Sequence, residues 1–506
     1  MRFAAIKQKA LGAALALLAG AAWAQTADTA DSASFFDDSA AGLSGAAAVS
    51  SSAESGGQGA AASSGAGAKG AASALAVDGT GTFVARSYLG PDDLAALGNA
   101  ADGRDRTEAA ARAKLKLDYS TADTEYKLNL NLDYDRLAGH PEDLIDEAYM
   151  NAYLGDWTFS AGKRKIVWGK GDEVHVVDLV NANDYTDFIF PSYVDRRLGE
   201  TMLCLDYGAP TVPFRVEGVW TPTMTADRVP DSGPWMPAEA KTLQNLLQAY
   251  AGYKYATLYG AGGAANSLTA AEWLSTHADA SAYLPNTFSL DYGQYALRAT
   301  GTIGSVDLGA DWYYGHFKTP SVNATYAGSY VTGVDLRYDR LQSFGVEAAT
   351  ALGAFNLRAE GAYYLTDDLK GTDPAVRNNR LAWDVGFDVD LPVHNINFNV
   401  QTTGTYILGW ADVSGAADVD YADHPYSNLV VVKLSDSFDH EKLLPSVKAL
   451  WGIEHGEVLV APALEWKIRD DFFLKGDGAL FFGGSGGVFD AFMNNEFVRL
   501  TATYSF

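Results

Sequence analysis

The chain has 506 residues, with 63 acidic against 37 basic side chains and a formal charge of −26. That balance argues against a nucleic-acid partner and against electrostatic anchoring on an anionic membrane surface, while 27 tyrosines, 23 phenylalanines and 11 tryptophans argue against a disordered chain. The single cysteine, Cys204, permits no internal disulfide, so the fold must be stabilised in another way.

In chain order the first element is a leader. Arg2, Lys7 and Lys9 precede the apolar run ALGAALALLAGAAWA, and Ala22-Trp23-Ala24 is a small-x-small cleavage site before Gln25. This predicts a secretory signal peptide over residues 1–24 and export from the cytoplasm. Residues 25–79 read as a disordered linker, because 39–76 are almost wholly Ala, Ser and Gly and cannot bury enough apolar surface to offset their ordering entropy.

From Thr80 to Phe506 the texture is alternation. In YKLNLNLDYD, Tyr126, Leu128, Leu130, Leu132 and Tyr134 share one face, and Lys127, Asn129, Asn131, Asp133 and Asp135 the other. AKLKLDY, EAYMNAYL, SVDLGADWYY, WDVGFDVDL and ALEWKI repeat the period of two. Beyond the leader, no stretch reaches about 18 consecutive apolar residues, so no helical span is expected. About 18 strands follow from the pattern, running from 80–89 to 494–506, with 329–352 taken as one very long strand. Their connections sort into two sets. STAD, GDW, GAPTV, IGS, LGA, LPVH, SDSFDHE and IRDD are short; residues 169–198, 223–287 and 411–426 are long, and only GIEHGE breaks the rule. Short turns on one side and long loops on the other predict an all-β fold, a transmembrane antiparallel β-barrel in the bacterial outer membrane, with its outer face on lipid. Trp157, Tyr119, Tyr134, Trp312, Tyr314, Trp451 and Trp466 are placed for interfacial girdles.

The chain closes on NNEFVRLTATYSF, with Val498, Leu500, Ala502, Tyr504 and Phe506 on one face. In a closed barrel this last strand pairs with the first. The terminal Phe506 resembles the signal that outer-membrane proteins present to the barrel assembly machinery, which is thereby an expected partner.

Two blocks carry a family resemblance. GKRKIVWGKGDEVHVVDLVNANDYTDFI, at 162–189, resembles a motif of a poorly characterised outer-membrane family akin to the alginate-export porins, matching at Arg164, Trp168, Gly169, Asp172, Asp178, Asn181 and Asp184. LVAPALEWKIRDDFFLKGDGALFFGGSGGVFDAFMNNEFVRLTATYSF resembles that family's last three strands, with Pro462, the Asp470/Asp471 turn and the aromatic finish. The resemblance implies a barrel and a pore, and no reaction.

The residues give no catalytic constellation. The eight histidines are scattered, with no His-x-x-x-His pair and no Gly-x-Ser-x-Gly motif, and GAGGAANS lacks the lysine of a phosphate loop. No enzyme activity, metal or cofactor is expected. The polar faces do carry charge of both signs. Lys114, Lys116, Arg164, Arg215, Arg298, Arg337, Arg358, Lys448, Lys467, Lys475 and Arg499 stand with Asp133, Glu147, Glu217, Asp307, Asp311, Asp335, Glu360, Asp384, Glu465 and Asp477. Such a lumen suits passive diffusion of small hydrophilic solutes, charged ones included. The expected constriction is loop 169–198, where Lys170, Asp172, Glu173, Asp178, Asp184 and Asp187 oppose Arg196 and Arg197, with Arg164 pointing inward from the preceding strand. In the longest loop, Leu243, Leu246, Leu247 and Tyr250 recur at helical spacing and predict a short amphipathic helix within 238–260. The rival functions are a carrier of hydrophobic molecules, against which the uniformly polar inner faces speak, and a structural or adhesive surface protein.

Overall fold

The alternating strands form one sheet that closes on itself. The computed structural model describes residues 74–89, 107–172, 174–259, 270–373, 375–410, 424–483 and 486–506. The expected signal peptide, most of the expected linker and the site residue Glu173 lie outside the described residues. The first part of the wall is Ala74–Tyr88 (β1), Thr107–Ser120 (β2), Thr124–Asp133 (β3), Ile145–Leu154 (β4), Trp157–Arg164 (β5), Glu200–Gly208 (β6), Phe214–Thr221 (β7), Gln294–Ile303 (β8) and Val306–His316 (β9). A hairpin of Ser321–Ala327 (β10) and Tyr330–Arg337 (β11) intervenes. Then come Arg340–Leu352 (β12), Phe355–Thr366 (β13), Arg380–Asp390 (β14), Asn397–Ile407 (β15), Tyr426–Ser435 (β16), Leu443–Gly452 (β17), Glu457–Arg469 (β18), Phe472–Phe482 (β19) and Phe497–Ser505 (β20).

These form one 18-stranded antiparallel sheet in which β9 pairs with β12 and β20 pairs with β1, from Thr80 opposite Ser505 to Tyr88 opposite Phe497. Closure removes both edges. Gly79 and Phe506 extend the seam by exchanging both backbone bonds, each 2.9 Å.

The faces are inverted relative to a water-soluble protein. Leu75, Phe83, Leu132, Leu205, Leu297, Phe344, Val346 and Leu500 are exposed on the outside, while Asn131, Asp133, Glu217, Arg298, Glu347, Glu360 and Asp477 are buried inside. An apolar outer band and a polar, mutually paired interior are what a lipid solvent demands. Aromatic pairs sit directly across strands on the outer face: Tyr119 with Tyr126 at 6.2 Å and Trp157 with Tyr207 at 4.8 Å.

The two ends of the barrel differ as the connections predict. β4 and β5 are joined by Gly155-Asp156 alone, with Gly155 at φ 66°, a conformation that glycine adopts without the Cβ penalty. The opposite end carries the long loops, with the 453–456 connection as the expected exception.

One expected strand was wrong in detail. Residues 329–352 are not continuous: β11 leaves the wall and pairs only with β10, and β12 starts after Tyr338-Asp339. The corner is pinned by Asp339, whose carbonyl accepts from Phe317 N at 3.0 Å and whose carboxylate accepts from Arg377 N at 3.1 Å. Arg337 and Asp335, read as lumen charges, therefore pair with each other on the hairpin (2.9 Å). Among the described residues the helices are Tyr134–Gly139 (α1), Tyr193–Arg196 (α2), Ala238–Tyr259 (α3) and Ala270–His277 (α4). In α3 the expected stripe buries Leu247, with Ala251 one turn on, and the helix packs on α4 through the Trp273 Nε1 bond to Ala251 O (3.0 Å) and on β11 through Tyr253 and Tyr330.

Candidate pore constriction

The connection between β5 and β6, residues 165–199, turns into the barrel instead of standing above it. Its root is stapled by Asn181, which donates to Arg164 O (3.0 Å) and Leu198 O (2.9 Å) and accepts from Ile166 N (2.9 Å). Arg197 lies against Asp178 with both side chains fully buried, and Tyr193 donates to the same carboxylate at 2.9 Å. The staple and the buried pair divide the loop into two lobes.

The first lobe, 166–180, runs along the inner wall. Ile166, Trp168, Val176, Val177 and Val180 pack on Met202, Cys204, Val219, Ala296, Tyr313, Leu341, Ala362 and Ala382, the inward positions of β6 to β9 and β12 to β14. Trp168 Nε1 donates to Glu217 at 3.1 Å. The far end is fastened to β13. Glu360 accepts from Lys170 N (2.6 Å), Gly171 N (2.6 Å), Val176 N (2.9 Å) and the His175 ring (2.9 Å). Burial disfavours the His175 imidazolium, but the Glu360 carboxylate outweighs it and raises the His175 pKa. Asp172 bonds Arg358 and Asn399, both at 2.7 Å, and Gln401 donates to Val174 O at 2.9 Å. The glycine of the Trp-Gly-Lys-Gly stretch is thereby explained. Gly169 sits at φ 115°, and a Cβ there would lie 2.3 Å from Glu360 Oε1.

The second lobe, 183–196, goes the other way. Asp184 meets Arg228 (3.0 Å) and Arg136 (3.3 Å), both of which also hold Asp143, at 2.7 and 2.6 Å. Burial would raise the Asp143 carboxyl; Arg228 and Arg136 outweigh it and hold it at about 2. Asp187 pairs with Arg86 on β1 (2.6 Å) and lies 3.9 Å from Arg499 on β20. Phe188 and Phe190 join Tyr88, Trp235, Phe481, Phe489, Phe492 and Phe497 in a buried aromatic cluster against the inner wall of β16 to β20. On α2, Asp195 meets Lys114 of β2. Lys114 and Arg112 keep side-chain exposures of 42% and 43% inside the barrel, so solvent reaches the lumen along β2.

The expected site residues thus have separate places. Asp178 and Arg197 are together and sealed. Arg164 is buried beside Ser160 and Tyr149, and Arg196 stacks near Tyr193. Lys170 reaches Glu360 through its backbone, and Asp172, Asp184 and Asp187 find partners on other elements. Residues missed from sequence are Arg86, Arg136, Asp143, Asp195, Arg228 and Trp235; apart from Arg136 with Asp143, they meet partners far along the chain. The inner faces are also not polar throughout: Val431, Leu450, Leu459 and Ala479 point inward where the loops pack.

No family model matches the chain, and no curated protein matches it. Among solved structures it is similar to a loop-deletion mutant of OmpT, an outer membrane protein of Vibrio cholerae, at 10% identity and TM-score 0.36, covering 86% of this chain and 100% of that one. It is also similar to a mutant of Rh. blastica porin, at 13% identity and TM-score 0.38, with the same coverage.

Proposed function

We propose that the protein is an outer-membrane porin whose narrowest section is built by loop 165–199, and that it passes small hydrophilic solutes by passive diffusion. The observation that carries this reading is an 18-stranded closed barrel with a polar interior belt and a loop fastened across its lumen at Glu360 and Asp172. A barrel of this strand number encloses an aqueous channel unless something fills it, and a fixed loop narrows it without sealing every wall. The charged pairs at the loop's edges, Asp187 with Arg86 and Asp195 with Lys114, are positioned to sort solutes by charge. The alginate-export likeness of the 162–189 block fits a solute pore and rests on those motif residues alone.

The aromatic cluster around Phe188 favours a second reading, a carrier of hydrophobic molecules. Planar bilayers separate the two. Stable ohmic steps from detergent-folded protein support the porin. Silence from a correctly folded barrel, together with uptake of a lipophilic fluorophore quenched by Trp235, would support the carrier.

A further inference from the structure

The strand pair that closes the barrel has little side-chain grip on its inner face. Across the β1–β20 seam the inward pairs are Thr80 with Ser505, Thr82 with Thr503 and Val84 with Thr501, all short side chains. The next inward pair is Arg86 with Arg499. Like charges directly opposite each other on an antiparallel pair are destabilising. Arg86 is buried, with its guanidinium 4.7 Å from the centre of the Phe497 ring, so water screens that repulsion poorly.

Each arginine has an acid on its outer flank: Glu108 of β2 lies 3.5 Å from Arg86, and Asp477 of β19 lies 2.6 Å from Arg499. Among the described residues, the carboxylate that meets both guanidinium groups comes from the second loop lobe. Asp187 is 2.6 Å from Arg86 and 3.9 Å from Arg499, and it stands 101 residues from Arg86 in the chain. Its aim is set by its neighbour. Phe188 is held at φ 52°, a conformation that a bulky side chain adopts at a cost, and its ring is packed on Phe190, Trp235 and Phe492. The opposite end of the seam is clamped differently: the Phe506 ring lies over Gly79, where a Cβ would come within 2.3 Å of it.

We propose that the second lobe is a latch on the closing seam: Asp187 bridges the facing arginines and holds the first and last strands together. The loop that turns into the lumen thereby also keeps the wall shut. The latch goes beyond the porin reading and does not depend on what passes through the barrel.

The test uses the full chain folded in detergent, with circular dichroism confirming the barrel and backbone hydrogen exchange read over 80–88 and 497–505. Asp187→Asn should speed exchange there about tenfold or more, a loss of roughly 1.4 kcal/mol, while the β8–β9 pair across the barrel keeps its wild-type protection. Asp187→Glu retains the carboxylate and should stay close to wild type. Asp195→Asn removes a lobe-to-wall ion pair that does not bridge the seam, and should leave seam exchange unchanged. Removing one of the facing cations as well separates a latch from plain loss of packing. Asp187→Asn/Arg86→Gln should recover seam protection, and should recover folding if Asp187→Asn alone fails to fold. Wild-type seam exchange in Asp187→Asn, an equal rise at β8–β9 or in Asp195→Asn, or a double variant no better than the single one overturns the latch.

Discussion

Glu360 is the fastening whose removal says most about the loop. The change Glu360→Ala leaves Lys170 N, Gly171 N, Val176 N and the His175 ring without their shared acceptor. Each buried donor left unpaired costs about 1–3 kcal/mol. Lumen water will recover part of that, so about 3–5 kcal/mol, the usual cost of breaking a buried charged pair, is the working figure for the first lobe. What still holds the lobe is Asp172 with Arg358 and Asn399, at about 1.5–3 kcal/mol for each charged hydrogen bond, the Gln401 bond to Val174 O and the apolar face against the wall. The 170–176 end of the lobe should therefore loosen while the barrel persists, since none of these bonds belongs to a strand ladder. Single-channel conductance should rise and become noisy, and backbone amides of 166–180 should lose hydrogen-exchange protection. Glu360→Gln keeps one neutral acceptor and should fall between, at about 1–3 kcal/mol. If Glu360→Ala leaves both conductance and exchange unchanged in a folded barrel, the loop is held by its apolar face alone and the fastening argument fails.

Other outcomes follow from the same geometry. His175 has a raised pKa, so its contribution is complete below about 6.5, the unfolded value, and is lost as pH rises through the higher folded value; lobe exchange should quicken on that upward titration, and His175→Gln should flatten the profile. Asp143 is held at about 2 against an ordinary value of 3.8, which is about 2 kcal/mol present above pH 4 and lost as pH falls toward 2; limited proteolysis of the 134–144 and 222–237 loops should accelerate over that range, and an acid-independent rate would contradict the assignment. Gly169→Ala places a Cβ 2.3 Å from Glu360 Oε1 at a strained φ, so it should raise conductance much as Glu360→Ala does; wild-type behaviour would mean the lobe adjusts freely. Deleting 172–192 removes most of both lobes and should give the largest conductance of the series, whereas an unchanged value would place the narrowest section elsewhere.

The wall of the barrel was legible in the sequence. Alternation is a local property, read within a few residues, and turn length is equally local; together they set strand number, the lipid-facing residues and the side that carries the loops. The unequal connections even flagged 169–198 as the loop to watch, and Asp178 with Arg197 were near enough in sequence to be suspected. Where that loop goes is visible only in the folded chain. Glu360 receives four donors from residues 170–176, and the sequence separation between His175 and its partner is 185 residues, so no local pattern marks the pairing. The same reason hid Asp187 with Arg86, and Asp184 with Arg228. It also hid the apolar inner positions: Val219, Ala296, Ala362 and Val431 break a polar face only because a loop from elsewhere in the chain lies on them. A strand sequence sets which way each side chain points, but what it meets inside a closed barrel depends on residues that closure brings within reach.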